Sequence, residues 1–111
     1  MGLGAVVNAR FRGARVIAVD TVPWRLKQAE KMGAAVIPLP AGPEALDAVR
    51  RLAGGDGVDA AIDCAGHVDT QRLCIDAARP FGRVAFIGEC GDDLKIKVSP
   101  DLIRKNLFVQ G

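Results

Sequence analysis

The sequence has few of the residues from which metal centres and disulfide frameworks are built. Its 111 residues include three cysteines, one histidine and no tyrosine, and only 5% of them are aromatic. Cys64, Cys74 and Cys90 are odd in number and show no Cys-x-x-Cys spacing. Neither a disulfide framework nor a structural zinc site is therefore expected.

Long apolar runs and an excess of one charge are also lacking. No apolar stretch approaches the roughly 20 residues that a membrane-spanning helix needs, and the first residues do not have the pattern of a secretory signal. Fifteen basic and thirteen acidic residues leave a formal net charge of +2, and they form no charged block. The sequence therefore predicts a cytoplasmic protein whose partners are neither nucleic acid nor a membrane.

The sequence does contain a regular alternation of apolar runs and amphipathic segments. Five short runs rich in valine and isoleucine are predicted to be strands, at 15–20, 34–39, 58–64, 83–88 and 107–109. Nearly continuous apolar runs of this kind are typical of parallel strands covered on both faces. Helical periodicity predicts helices at 3–12, 23–32, 43–53 and about 69–79, a hairpin-like stretch at 92–98 and a further helix start at 99–101.

This order predicts an α/β fold with a doubly wound parallel sheet, formed by residues 1–111 as one domain. Such a domain normally begins with a strand that is central in the order 3-2-1-4-5-6, whereas here a helix comes first. Without that strand, the predicted strands at 15–20 and 58–64 have facing edges that are unpaired. Either these strands pair directly or another chain supplies the contact, so a homodimer or higher oligomer through strand edges is expected.

The carboxyl ends of the predicted strands are the places to look for a ligand site. Asp20 ends one strand, where a carboxylate can accept the hydroxyl protons of an adenosine ribose and repel a 2′-phosphate, or can cap the helix that follows. The turn Cys64-Ala65-Gly66 lets a cofactor approach the backbone, although tight packing explains its small residues almost as well. Gly88-Glu89 ends the next strand, where backbone groups would matter more than side chains.

Other candidate residues give weaker signals. Gly2 and Gly4 fit either a dinucleotide-binding turn at a helix N-terminus or a chain terminus of small residues. His67 is the single imidazole and is predicted to lie at a helix start rather than to act as an acid or base. Asp63 is predicted to hydrogen-bond a turn, and Trp24 either stacks on an adenine or lies on the surface.

Five segments carry a family resemblance through their order and spacing. They are Arg15-Val16-Ile17-Ala18-Val19-Asp20, Arg25-Leu26, Met32-Gly33-Ala34, the run from Gly57 to Gly66, and Gly82-Arg83-Val84-Ala85-Phe86-Ile87-Gly88. Together they resemble the Rossmann-like cofactor-binding domain of zinc-type medium-chain alcohol and polyol dehydrogenases. The resemblance covers essentially all 111 residues.

The resemblance implies a set of cofactor-binding residues. Gly2 matches the last glycine of the family's Gly-x-Gly-x-x-Gly turn, and Gly4 the small residue two places on. Asp20 matches the ribose-binding acid, and Arg25 the basic residue that packs at the ribose. The remaining implied contacts are two strand-end turns, one lying along the cofactor and one meeting the nicotinamide through its backbone: Cys64, Ala65 and Gly66, and Ile87, Gly88 and Glu89.

The resemblance also implies NAD(H) as the cofactor, and zinc only in the catalytic domain of the complete family enzyme. The family's first strand, its first two glycines and that catalytic domain have no counterpart in this sequence. The chain is therefore expected to be a truncated NAD-binding domain that takes part in hydride transfer in the complete enzyme and is inactive alone. Two alternatives stay open: a free-standing nucleotide-binding module without catalysis, and a methyltransferase-like domain, whose last strand would be antiparallel.

Overall fold

The computed structural model describes residues 2–111, which follow the predicted alternation of helices and strands. The helices are α1 (Gly2–Phe11), α2 (Pro23–Lys31), α3 (Pro43–Ala53) and α4 (Val68–Ala77). The strands are β1 (Ile17–Val19), β2 (Ala35–Ile37), β3 (Val58–Asp63), β4 (Ala78–Phe86) and β5 (Phe108–Gln110), with a π-helical turn at Val98–Ile103. No helix within 2–111 combines the length and apolarity needed to cross a membrane.

Every strand pair in the structure is parallel. Strand β1 pairs with β2, and β4 lies between β3 and β5. The neighbours within each sheet, β1 with β2 and β3-β4-β5, agree with the doubly wound order predicted from the sequence. The parallel β5 contradicts the methyltransferase alternative, which requires an antiparallel last strand.

Helices cover both faces of the strands. Ile17 and Val19 of β1 pack on a cluster whose buried members are Ile37, Ala45, Val49 and Ala77, from β2, α3 and the end of α4; we call it the α3/α4 cluster. The residues that alternate with them, Val16 and Ala18, pack on a second cluster, the α1/α2 cluster, whose buried members are Val6, Ala29 and Ala34. Because successive strand side chains point to opposite faces, this division confirms the doubly wound architecture.

Of the two alternatives for the strands at 15–20 and 58–64, direct pairing is wrong. Strands β1 and β3 belong to different sheets, and no strand within residues 2–111 lies between them. The two sheets are held side by side because Ile17 of β1 and Val58 of β3 both pack on the α3/α4 cluster. Ile62 of β3 is 47% exposed, although its apolar run predicted burial on both faces.

Three local predictions also need correction. The helix predicted to end near 79 ends at Ala77, and Pro80 lies inside β4. There the pairing shifts from Val58 with Ala78 to Ala60 with Arg83, so residues 79–82 form a bulge, where a proline without an N–H is tolerated. The hairpin-like stretch at 92–98 forms no strand, and the helix predicted from 99 is a short π-helical turn that begins at 98.

Charged side chains attach this last segment to α4. Arg72 Nη2 lies 2.7 Å from a carboxylate oxygen of Asp76 and 2.7 Å from one of Asp101. The hydrogen bonds from Arg72 hold the pKa of Asp101 below its usual value. Lys105 Nζ donates to the carbonyl oxygen of Ile75 at 2.7 Å, near the negative end of α4. Charge-assisted hydrogen bonds therefore anchor the π-helical turn, none of whose residues is buried.

The bulge in β4 predicts a stabilising substitution. Phe81 has φ 63°, a left-handed conformation that costs a residue with a Cβ roughly 1–2 kcal/mol and that asparagine tolerates. Its side chain is 71% exposed, so removing the ring loses little burial. Phe81→Asn is expected to raise the free energy of unfolding by about 1 kcal/mol in chemical denaturation.

Phe81→Ala is the matched control, because it removes the same ring but keeps the unfavourable backbone conformation. It should give a clearly smaller gain than Phe81→Asn. Equal gains from the two variants would assign the effect to the exposed ring and contradict the backbone explanation.

Candidate functional site at the carboxyl edge

Helix α1 begins at the carboxyl end of β3. A Cβ placed on Gly2 would lie 3.9 Å from the Cβ of Cys64, so the first turn of α1 and the turn after β3 meet at one edge. A helix N-terminus offers unpaired N–H groups and the positive end of the helix dipole to an anionic group. Gly4 has open space around its Cα, with no atom within 4 Å of a Cβ placed there.

Asp20 follows β1, and its carboxylate binds the turn that leads into α2. Its Oδ1 accepts hydrogen bonds from the backbone N–H groups of Thr21 at 2.7 Å and Val22 at 3.0 Å. Its Oδ2 lies 3.7 Å from Nη1 of Arg25. Oδ1 therefore holds the two residues that precede α2 and does not cap the helix, whose N-cap is Val22, while Oδ2 faces the arginine that the family resemblance places beside it. Trp24 lies on the surface next to this pair.

The turns after β3 and β4 cross in direct backbone contact. Gly66 has φ 76°, and a Cβ on it would lie 2.3 Å from the carbonyl oxygen of Glu89. A Cβ on Gly88 would lie 2.3 Å from the backbone nitrogen of Gly66. Only glycine fits at these two positions, because the neighbouring atoms belong to the backbone and cannot turn away. The sequence predicted that both turns lie at this edge, but not that they touch.

The other predicted residues of these turns expose their side chains. Ala65 and Glu89 are exposed, as is Ile87, whereas Cys64 is half-buried beneath them. The crossing thus presents backbone groups and a small apolar surface at the carboxyl edge. Such a mixture suits a flat ring that needs both apolar contact and a few fixed polar partners.

Asp63, the last residue of β3, is buried under the turn that follows it. Its carboxylate accepts hydrogen bonds from the N–H of Ala65 at 3.2 Å and of Gly66 at 3.2 Å, and from Oγ1 of Thr70 at 2.7 Å. The predicted turn-bonding role of Asp63 is confirmed. Thr70 was missed, although a hydroxyl at the third position of the helix after a strand-ending acid is a signal that could have indicated it.

The cysteines and the histidine do not fit a zinc ion. Burial, together with the charge of Asp63, raises the pKa of Cys74 to about 12, and burial likewise raises the pKa of Cys64. Both thiols therefore keep their protons at neutral pH. His67 lies exposed at the start of α4, as predicted. Within the described residues no three His, Cys, Asp or Glu side chains are grouped to hold a metal ion.

Comparison with known proteins identifies the family. Residues 1–111 match the zinc-binding dehydrogenase family, and the chain belongs to it, which confirms the resemblance seen in the sequence. An uncharacterised zinc-type alcohol dehydrogenase-like protein of Escherichia coli K12 is 35% identical over 112 residues, covering 100% of this chain and 31% of that protein.

Solved structures agree with this assignment. Benzyl alcohol dehydrogenase from Acinetobacter calcoaceticus superposes with a TM-score of 0.87 at 28% identity, covering 99% of this chain and 31% of that one. A zinc-binding dehydrogenase of Sinorhizobium meliloti 1021 bound to NADP gives 0.82 at 32% identity, covering 99% and 33%. The chain therefore spans about a third of the length of these relatives.

The glycine crossing predicts a sharp difference between two alanine substitutions. Gly88→Ala places a Cβ 2.3 Å from the nitrogen of Gly66, so the two turns must separate, and the free energy of unfolding should fall by about 3 kcal/mol in denaturant titrations. Gly91→Ala is the control, because nothing lies within 4 Å of a Cβ there. It should change stability by less than about 0.5 kcal/mol. Similar effects at both positions would contradict the crossing.

Proposed function

We propose that this chain is the NAD(H)-binding domain of a zinc-type alcohol or polyol dehydrogenase. The observation that carries the proposal is that the α1 N-terminus at Gly2 meets the turn after β3, which in turn crosses the turn after β4 at Gly66 and Gly88, while Asp20 follows β1. Family membership over residues 1–111 supports it. An open parallel sheet binds its ligand at the carboxyl edge.

Each part of the edge has a binding role in this proposal. The first turn of α1 receives the pyrophosphate, because its N–H groups and dipole favour an anion. Oδ2 of Asp20 accepts a hydrogen bond from a hydroxyl of the adenosine ribose, and Arg25 packs beside the ribose. The turns 64–66 and 87–89 hold the nicotinamide through backbone groups. The bound cofactor would accept a hydride as NAD⁺ or supply one as NADH; we expect the substrate and zinc contacts to come from the rest of the enzyme.

Asp20 supports NAD rather than NADP as the preferred cofactor. A carboxylate at the end of β1 repels a 2′-phosphate, whereas it can accept a hydrogen bond from a 2′-hydroxyl. Arg25 lies 3.7 Å from the Asp20 carboxylate, so part of its charge is neutralised by the acid. The structure of a relative from Sinorhizobium meliloti holds NADP, so the preference of this chain needs a direct test.

Removing the charge of Asp20 tests this preference. Asp20→Asn keeps an oxygen that can accept from the N–H groups of Thr21 and Val22, so it should fold normally, but it should bind NADH about tenfold more weakly and lose the preference over NADPH. Titrations that follow nicotinamide fluorescence measure both affinities. Asp47→Asn, an exposed position on α3, is the control and should change neither. The cofactor proposal is wrong if the unmodified chain binds neither dinucleotide.

We also propose that the chain forms a homodimer through the edge of β5. Within residues 2–111 this strand has a neighbour on one side only, and all three of its residues are exposed. Phe108 and Val109 place apolar side chains beside the unpaired backbone groups. An edge of this kind readily pairs with a second strand.

A lysine on that edge should prevent pairing. Val109→Lys is expected to convert a dimer into a monomer in sedimentation equilibrium, because two copies would bring like charges together at the strand edge. Val98→Lys, an exposed apolar position outside the strands, is the control and should leave the dimer intact. A monomeric unmodified chain at all concentrations would count against the proposal.

A further inference from the structure

Asp63 is bonded to both of the crossing turns. Its side chain, in a residue only 2% exposed, accepts from the N–H groups of Ala65 and Gly66, each at 3.2 Å. Its backbone oxygen accepts from the N–H groups of Ile87 at 2.9 Å and Gly88 at 3.1 Å. One residue therefore fixes the turn after β3 through its carboxylate and the turn after β4 through its carbonyl.

Thr70 fixes the orientation of that carboxylate. Its Oγ1 lies 2.7 Å from Oδ1 of Asp63 and 2.9 Å from the carbonyl oxygen of His67. A hydroxyl has a single proton to donate, and the shorter contact with a charged acceptor takes it. The same oxygen accepts from the N–H of His67 at 3.3 Å. The first turn of α4 is thereby attached to the end of β3.

The surroundings of Asp63 require an acid. Both carboxylate oxygens face donors: Oδ1 faces the Ala65 N–H and the Thr70 hydroxyl, and Oδ2 faces the Gly66 N–H. An asparagine would turn an NH₂ group towards one of these donors. Asp63 forms no ion pair with any residue in 2–111, so its buried charge is balanced by backbone dipoles and one hydroxyl. Burying a charge in this way is expensive.

We infer that Asp63 is the positioning residue for the nicotinamide half of the site, oriented by Thr70. It sets the separation of the turns 64–66 and 87–89 and does not touch the cofactor, since it is buried beneath them. The inference rests on the proposed function. Asp20, which would bind the adenosine half, follows β1 in the other sheet. A substitution at Asp63 should therefore weaken binding of the nicotinamide half more than binding of the adenosine half.

Two probes separate a positioning role from general damage. NADH contains both halves of the cofactor, whereas ADP-ribose lacks the nicotinamide. Thr70→Val in the 111-residue chain should weaken NADH binding about tenfold, the effect of losing one charge-assisted hydrogen bond, and change ADP-ribose binding less than about threefold. Asp63→Asn, if it folds, should also weaken NADH binding more than ADP-ribose binding. Thr70→Ser keeps the hydroxyl and should bind NADH as the unmodified chain does. Asp69→Asn, an exposed acid on the same helix turn, is the control.

A second measurement does not need the cofactor. Hydrogen exchange at the amides of Gly66 and Gly88 should be slow in the unmodified chain and faster at both in Thr70→Val. Equal losses of NADH and ADP-ribose affinity, or faster exchange at Gly66 alone, would overturn the inference. If the unmodified chain binds neither probe, the proposed function fails, and faster exchange at both glycines still supports the coupling of the two turns through Asp63.

Discussion

One apolar layer holds the two sheets in a common direction. Ala45 and Val49 of α3 are buried between strands of both sheets, and Ile17 of β1 and Val58 of β3 pack on the same cluster. Helix α3 is also the connection from β2 to β3, so its packing decides how far apart the sheets lie and which way they point. This layer therefore fixes the residues that follow β1 relative to those that follow β3.

The proposed site is divided between the two sheets as a result. Asp20 follows β1 in one sheet, whereas Asp63 and the glycine crossing follow β3 and β4 in the other. Within the second sheet, hydrogen bonds and backbone contact fix the two turns relative to each other. Among residues 2–111 no ladder of hydrogen bonds joins the two sheets, and side-chain packing on α3 is the main contact that relates them. The two halves are therefore rigid internally and coupled through apolar contacts.

The sequence predicted what depends on local chemistry. The bounds of α3 follow from Pro43 at its first turn and Gly54 after its last, and both are confirmed. The exposure of Ile62 and the place of Pro80 in a bulge were not predictable, because an apolar run indicates suitable faces but not which neighbours cover them. The contact of Gly66 with Gly88 and the bond from Thr70 to Asp63 likewise join residues whose proximity only the tertiary fold creates.

The division of the site has a thermodynamic consequence. A dinucleotide that contacts Asp20 at one end and the turn at Gly88 at the other binds only while both sheets keep their native relation. Such binding raises the free energy of unfolding, and the increase grows with the logarithm of the ratio of ligand concentration to dissociation constant. The cofactor would thus act as a second connection between sheets that are otherwise joined by packing on α3. Ligand affinity and the stability of the α3/α4 cluster are then linked, and a change in either alters the other.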